Sequence, residues 1–478
     1  MQVQAGAGRE KPPLSIPLKV AFALGTAAES ITFISATFLM IYYNQVLGLP
    51  PGLVGSALAV GLIVNAVFDP LVGSWSDRTR SRLGRRHPFM FASILPVALS
   101  FYAAFNPPAA LGQTGMLIWL AVMNTLLLQM MTIYHTPHLA FGGEMSDGYI
   151  ERSSVMAYNT FFMFVGDMLA ALLTLRLFFA PAPGLPNGAL DADRYPTFTI
   201  ATALLIASIL FASTWWTRSR IPYVNQMASD TPPFGVRTFL GDVRRALANR
   251  NYVVLLFALL FFSLMTGVRN GLTLYIGTFF WQLDNNELSY LIIGQIAGYF
   301  IAAAIVKPLH VRLDKRWTGM FACLVYSIAP GIPLLLGYFG VLSPATPGLI
   351  AILIGFAILQ HAPYSLLTTT IRSALADIAD ENELKFGLRQ EGILYSVRTF
   401  FQRIDSAVGT AFAGAVLAFV VFPAKATPGQ VDGQVLGALA LAYAAATLPG
   451  LIATVFYGMM RVTRDTYETT RAALQERA

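Results

Sequence analysis

The feature that most limits what this chain can become is its series of long apolar blocks. Residues 53–68, 114–134, 199–216, 252–265, 288–306, 350–359 and 436–460 are the clearest of them. The hydrocarbon layer of a bilayer is about 30 Å thick, so a helix needs roughly 20 mostly apolar residues to cross it. No water is present there to bond a free N–H or C=O, so each crossing segment must satisfy its own backbone and become a helix. Of the 478 residues, 55% are hydrophobic and 12% charged, where an ordinary soluble domain is roughly 25% charged.

We place twelve spans, near 17–43, 52–75, 88–106, 114–139, 154–180, 196–217, 251–280, 288–311, 318–341, 346–372, 391–422 and 434–460. The expected fold class is therefore all-α integral membrane. Its expected parts are a six-helix half over 1–217, a central loop over 218–250, a second six-helix half over 251–460 and a tail over 461–478. The single cysteine, Cys323, sits in an apolar run and reads as a packed thiol. The first fifteen residues lack a cleaved-signal pattern, so the first span is expected to act as its own insertion signal.

A net charge of +7 would suggest nucleic acid in a soluble protein. Here the basic residues sort by loop. Arg78, Arg80, Arg82, Arg85 and Arg86 follow span two, and Arg312, Lys315 and Arg316 follow span eight. The central loop carries Arg218, Arg220, Arg237, Arg244, Arg245 and Arg250, and the tail carries Arg461, Arg464, Arg471 and Arg477. Loops on the other side hold only Arg194 and Lys425. Basic loops stay on the cytoplasmic side, so both termini and the central loop are expected there, with the protein in the cell (inner) membrane. No basic face is interleaved with aromatics, which makes nucleic acid the poorer reading.

A weak internal repeat supports the two halves. His135-Thr136-Pro137-His138 in span four has a counterpart in His361-Ala362-Pro363-Tyr364 in span ten. Asp69-Pro70 followed by Asp77-Arg78 is echoed by Lys307-Pro308 followed by Asp314-Lys315. Paired halves of this kind are a sequence sign of transporters that work about a site near the bilayer midplane.

Charge inside a span costs about 2.5–3.5 kcal/mol at a helix centre, so each instance needs a reason. Glu29, Asp69, Asp167, Arg269, Arg398, Arg403 and Asp405 qualify. Fixed ion pairs are one explanation. For Glu29, Asp69 and Arg403, well inside their spans, function is the better one. Asp167 and Asp405 stay open between the two, while Arg176 and Lys307, near span ends, read as snorkelling side chains. His135, His138 and His361 each lie near a proline, where a satisfied structural histidine is easily pictured; His135 also suits the polar wall of a substrate cavity. The scattered carboxylates and lone cysteine give no metal-ligand spacing. No phosphate-cradling glycine loop and no nucleophile elbow is present, so neither an enzyme nor an ATP-driven pump is expected.

The segment running from Asp69-Pro70 through Gly73, Asp77-Arg78 and Gly84-Arg85-Arg86 is similar to the helix two–three signature of the major facilitator superfamily. Its form resembles that of the glycoside–pentoside–hexuronide:cation symporters, the family of melibiose permease. The stretch from Pro137 through Glu144 to Glu151-Arg152 is similar to that family's helix four–five loop. The stretch from Lys385 through Glu391-Gly392 to Tyr395-Ser396 is similar to the start of its helix eleven, and the likeness runs from about residue 18 to 420. The resemblance implies a secondary symporter working by alternating access, with no cofactor, acting as a monomer in the bilayer on a glycoside or other small polar solute. A lipid, lysolipid or amphiphile substrate is the alternative within the same fold.

Carried over by position, Asp69 falls at a cation-site carboxylate and Thr132 at a neighbouring hydroxyl, whereas Asn65 replaces the second carboxylate. Glu29 falls at an acidic sugar contact and Arg403 at the helix-eleven lysine. His135 replaces a sugar-binding aspartate and Thr160 an arginine. Gly73, Asp77, Arg78, Arg85, Arg86, Glu144 and Glu391 are the gating candidates, with Asp77 and the arginines expected to latch span two to the second half. The coupling ion favoured is a proton, with sodium possible. Sodium needs several oxygens around it, and Asn65 supplies no charge. Loss of hydration favours the neutral form of a carboxyl deep in a bundle, so Asp69 could load and release a proton as wetting changes.

The loop charges generate a direct topology test. In a Cys323-free background, a cysteine at Arg237 or beyond Arg461 should resist an impermeant thiol reagent in intact right-side-out cells and react after permeabilisation. Reaction at residue 237 in intact cells would overturn the orientation.

Overall fold

The structure is a computed structural model. It describes residues 12–478 except 80, 147–148, 184, 186, 225–240, 242–243, 245–246, 387–390, 462–465, 467, 471–472 and 474–478. Most of the expected central loop, with Arg237 and Arg245, therefore lies outside the described residues, as do Arg80, Arg464, Arg471 and Arg477.

The long elements are α1 (Ile16–Ala36), α2 (Pro51–Arg78), α3 (His87–Phe105), α4 (Gln113–Glu144), α5 (Tyr149–Leu172), α6 (Tyr195–Thr217) and α7 (Arg250–Tyr275). They continue as α8 (Asn285–Ile328), α9 (Gly331–Tyr338), α10 (Leu349–Phe386), α11 (Glu391–Phe419), α12 (Gly433–Ala445) and α13 (Thr447–Met459). Local chemistry marks their starts. Proline sits in the first turn of α1, α3 and α6, where its missing N–H leaves no bond unmade. Asp284 and Glu287 form a reciprocal capping box at the start of α8.

Ten segments among the described residues are long and apolar enough to cross a membrane. One of them, the 54-residue run Asn285–Tyr338, is broken at Asp314, whose backbone lies at φ 66° and ψ 158°. That break separates the expected spans eight and nine. The further long helix α11 carries Arg398, Arg403 and Asp405. The arrangement is consistent with twelve spans, and the protein is a multi-pass membrane protein.

Two compact units make up the chain. The first holds residues 1–42, 67–179 and 191–234, and the second holds 43–66, 180–190 and 235–478. In the first, α1 packs on α5 and α6, and α3 packs on α4 and α6. In the second, α7 packs on α11 and α13, and α8 packs on α10 and α13. The partner pattern of the first unit thus recurs in the second, with α12 and α13 together taking the place of α6. Residues 43–66 group with the second unit. There Gln45 Nε2 donates to the Pro423 carbonyl at 3.0 Å. A Cβ on Gly55 would stand only 3.0 Å from Gly414 Cα, so the start of α2 lies backbone to backbone on α11.

At one end of the first unit, Arg220 ties three segments together. It is buried, and donates to the Met145 carbonyl at 3.0 Å and the Pro12 carbonyl at 2.6 Å. Glu151 closes the other side, accepting from Ser146 Oγ and from the Leu14 N–H, both at 2.5 Å. These two bonds hold its carboxyl below its ordinary value of 4.5. A depressed carboxyl pKa contributes stability that is present above the ordinary value and fades as pH falls below it.

Equivalent close crossings occur in both units. A Cβ on Gly166 of α5 would sit 2.5 Å from the Ala27 carbonyl oxygen of α1, and one on Gly267 of α7 would sit 2.7 Å from Gly409 Cα of α11. Backbone cannot swing aside as a side chain can. Gly166→Val and Gly267→Val should each lower stability by about 1–3 kcal/mol, read as a lower melting temperature in detergent. Gly143→Val is the control, since a Cβ there meets nothing within 4 Å.

Candidate functional site

The polar residues of the first unit gather on α4. Thr132 and His135 are one turn apart, so their side chains lie on neighbouring positions of one face. Thr132 Oγ1 donates to Asp69 Oδ1 at 2.7 Å, fixing a carboxylate of α2. His135 Nδ1 stands 2.6 Å from Glu29 Oε2, joining α4 to α1. The His135 side chain is 31% exposed and that of Glu29 15%, so this pair is reachable, unlike a sealed structural bridge. Asp167 on α5 is near enough to Glu29 to feel its charge. One turn of α4 therefore connects the cation candidate Asp69 with the substrate candidates Glu29 and His135.

His138 is different in kind. It is buried, its Nε2 lies 2.8 Å from the Phe22 carbonyl, and its ring stacks on Phe22 at 4.2 Å between centroids. That is the satisfied structural histidine expected beside Pro137. Gly25 makes room for it, since a Cβ there would come within 2.6 Å of His138 Nε2. Thr26 and Asn159 add a hydrogen bond between α1 and α5 on the same side of the unit. Asn159 was not singled out in the sequence, because a lone amide on a helix carries no pattern.

The remaining sequence candidates fall elsewhere. The Thr160 hydroxyl donates to the Met156 carbonyl of its own helix at 3.0 Å, which occupies it locally. Asn65 is buried on the part of α2 that belongs to the second unit, and Arg403 is half-buried on α11 in that unit. The side chain of Glu391 lies outside the described residues. Arg269 of α7 is buried and donates to the Tyr326 and Ser327 carbonyls at 3.0 and 2.5 Å and to Thr447 Oγ1 at 2.9 Å. It thus satisfies the carbonyl end of α8, a structural role.

The basic cluster after α2 is a compact ion-pair network. Arg86 Nη2 contacts Asp77 Oδ1 at 2.5 Å and Glu144 Oε1 at 2.8 Å, and Arg85 Nη2 contacts the same Glu144 oxygen at 3.0 Å. All these groups belong to the first unit, and the ion pairs join α2, the following loop and α4. Arg78 is exposed. Gly84 has φ +76°, which requires glycine in the loop. Gly73 carries less weight than expected: a Cβ there would meet only the Thr136 methyl at 3.6 Å, an ordinary contact. The second unit holds a corresponding pair missed in the sequence, Lys315 Nζ to Asp377 Oδ2 at 2.6 Å, between the break in α8 and α10. The echo of Asp77-Arg78 in Asp314-Lys315 was the available signal for Lys315; its acidic partner, over sixty residues on, had none.

No group of three or more His, Cys, Asp or Glu able to hold a metal occurs among the described residues. Comparisons with known proteins agree with the fold and the motifs. The chain is 26% identical to the inner membrane symporter YicJ of Escherichia coli (strain K12) over 85% of its length and 83% of that protein's. It is 25% identical to the putative glycoside/cation symporter YagG of the same strain, over 97% of this chain and 94% of the relative. Among solved structures, the nucleoside transporter NupG matches with a TM-score of 0.64 at 12% identity, over 94% of this chain and all of that one, a likeness of fold. The family described as MFS/sugar transport protein matches residues 21–463, and the chain belongs to it.

Proposed function

We propose that this protein is a symporter of the cell (inner) membrane, with both termini cytoplasmic, acting as a monomer by alternating access. It moves a glycoside or another small polar solute with a cation, and the cation is a proton. The observation that carries this reading is the shared turn of α4. Thr132 holds Asp69 at 2.7 Å and His135 meets Glu29 at 2.6 Å, so a change of charge at one pair is passed to the other through a single rigid turn. Coupling needs that kind of mutual dependence between two sites.

Glu29 offers acceptors and His135 a donor or acceptor, which suits a hydroxylated solute more than a lipid tail. The names of YagG, a putative glycoside/cation symporter, and YicJ, an inner membrane symporter, support the same substrate class and mode. Asp69 and Thr132 bring a carboxylate and a hydroxyl to the cation position. A proton needs only the carboxylate, whereas a sodium ion needs several oxygens, which favours the proton. Asp77, Arg85, Arg86 and Glu144 act as the cytoplasmic gate, holding the end of α2 against α4 in one state of the cycle.

Two substitutions test these roles in proteoliposomes. Asp69→Asn should abolish proton-driven accumulation while leaving part of the counterflow exchange, in a protein that still folds. Sodium-dependent accumulation by the native protein, without substrate-linked alkalinisation of the medium, would falsify the proton assignment. A panel of labelled glycosides none of which exchanges would remove the substrate class. Asp77→Ala frees Arg86 from one carboxylate and should slow turnover more than it weakens substrate binding. Unchanged turnover with unchanged accessibility from the outer face would remove the gate.

A further inference from the structure

A carboxyl in the second unit has no part in the coupling scheme above. Asp405 of α11 is 2% exposed, and its Oδ2 has no hydrogen-bond partner among the described residues. It sits one turn before Gly409, where α11 and α7 touch backbone to backbone through Gly267. Residues four apart share a helix face, so Asp405 faces the α7 seam. Several described ionisable groups on the elements around α11 have partners of their own. On α7, Arg269 is bonded to Tyr326, Ser327 and Thr447, the Tyr252 hydroxyl donates to the Leu394 carbonyl, and the Tyr275 hydroxyl donates to Asn44. On α10, Asp377 pairs with Lys315, and the His361 ring lies edge-on to Tyr299. Tyr443 of α12 lies beside Arg269, and Arg398 and Arg403 share α11 with Asp405. No described hydrogen bond or ion pair links any of these groups to Asp405.

An unpaired carboxylate anion buried this way is strongly disfavoured and takes up a proton instead. A permanently neutral acid there would still leave a buried polar group without a partner, a cost that leucine or alanine would avoid. An ionisable residue kept inside a membrane bundle at such a cost is by default a functional one. The crossing beside it is made by Gly267 and Gly409, with no side chain of either between the two backbones. We propose that Asp405 is a second proton-binding carboxyl: it carries a proton in the state described here and releases it to water when the α7–α11 seam opens. The Oδ–H bond forms with a proton from water on one side of the membrane and breaks with release of that proton to water on the other, so no other reactant is needed. With Asp69 in the first unit, each half would then hold one titrating carboxyl, and two protons would move per solute.

The measurement is accumulation under an imposed pH gradient of one unit with the membrane potential clamped to zero. Each coupled proton sustains about tenfold accumulation per pH unit, so two protons sustain about 100-fold and one about tenfold. Asp405→Asn, normalised to its own counterflow rate, should fall about tenfold below the native ratio. Asp405→Glu, which keeps an acid, should recover it. In infrared spectra at neutral pH, the native protein should show a carboxylic-acid band that Asp405→Asn removes and Asp405→Glu displaces. If the asparagine variant cannot be obtained folded, the displacement in the glutamate variant carries the assignment. A native accumulation ratio retained by Asp405→Asn, or an acid band that neither substitution alters, would overturn the proposal. Because the band is read without substrate or gradient, its presence or absence is independent of whether Asp69 carries a proton or sodium.

Discussion

Everything in this protein follows from the inability of hydrocarbon to bond a peptide group. Each backbone N–H and C=O within the bilayer needs a partner of its own, which leaves helices as the spanning elements of an apolar chain such as this one. Buried polar side chains find backbone partners as well. Arg269 donates to the Tyr326 and Ser327 carbonyls near the end of α8, and His138 meets the Phe22 carbonyl of α1. Both polar side chains are buried, and both would be costly there without those bonds.

Helices in lipid are not driven together by the expulsion of water between them, so close approach matters more than bulk apolarity. The chain achieves it with glycine at the same places in each unit. Gly166 lets α5 lie on the backbone of α1, and Gly267 with Gly409 lets α7 lie on α11. Charge follows the same repeated plan at corresponding helix ends. Arg85 and Arg86 meet Glu144 in the first unit, and Lys315 meets Asp377 in the second. In both, a base after an even-numbered span holds an acid at or near the end of the helix two spans later.

Four of the polar residues inside the first unit are linked through α4. Asp69 is held by Thr132 and Glu29 by His135, with a single turn of α4 between the two holders. The carboxylate proposed to carry the cation and the pair proposed to meet solute are thereby held by one turn of α4. That is the simplest physical means of making the occupancy of one site alter the other, because neither can move without the turn that carries both.

Much of this was legible in the residues themselves. The length of the apolar blocks set the spans, since thickness and helical rise leave little freedom, and the loop arginines gave an expectation for the sides. The motif around Asp69, Asp77 and Gly84 pointed to the family; Gly84 adopts a backbone that needs glycine, while a side chain at Gly73 would meet only an ordinary contact with Thr136. What the sequence could not supply was partnership across long separations. Nothing in it tells that Asp377 belongs to Lys315, that Asn159 meets Thr26, or that residues 43–66 group with the second unit. Nor does it show that Thr160 is spent on its own helix while His135 is presented to Glu29. Periodicity and composition are properties of neighbours in the chain, and they determined the helices; which side chains meet is a property of helices packed at particular angles and depths, and only the tertiary structure decided that.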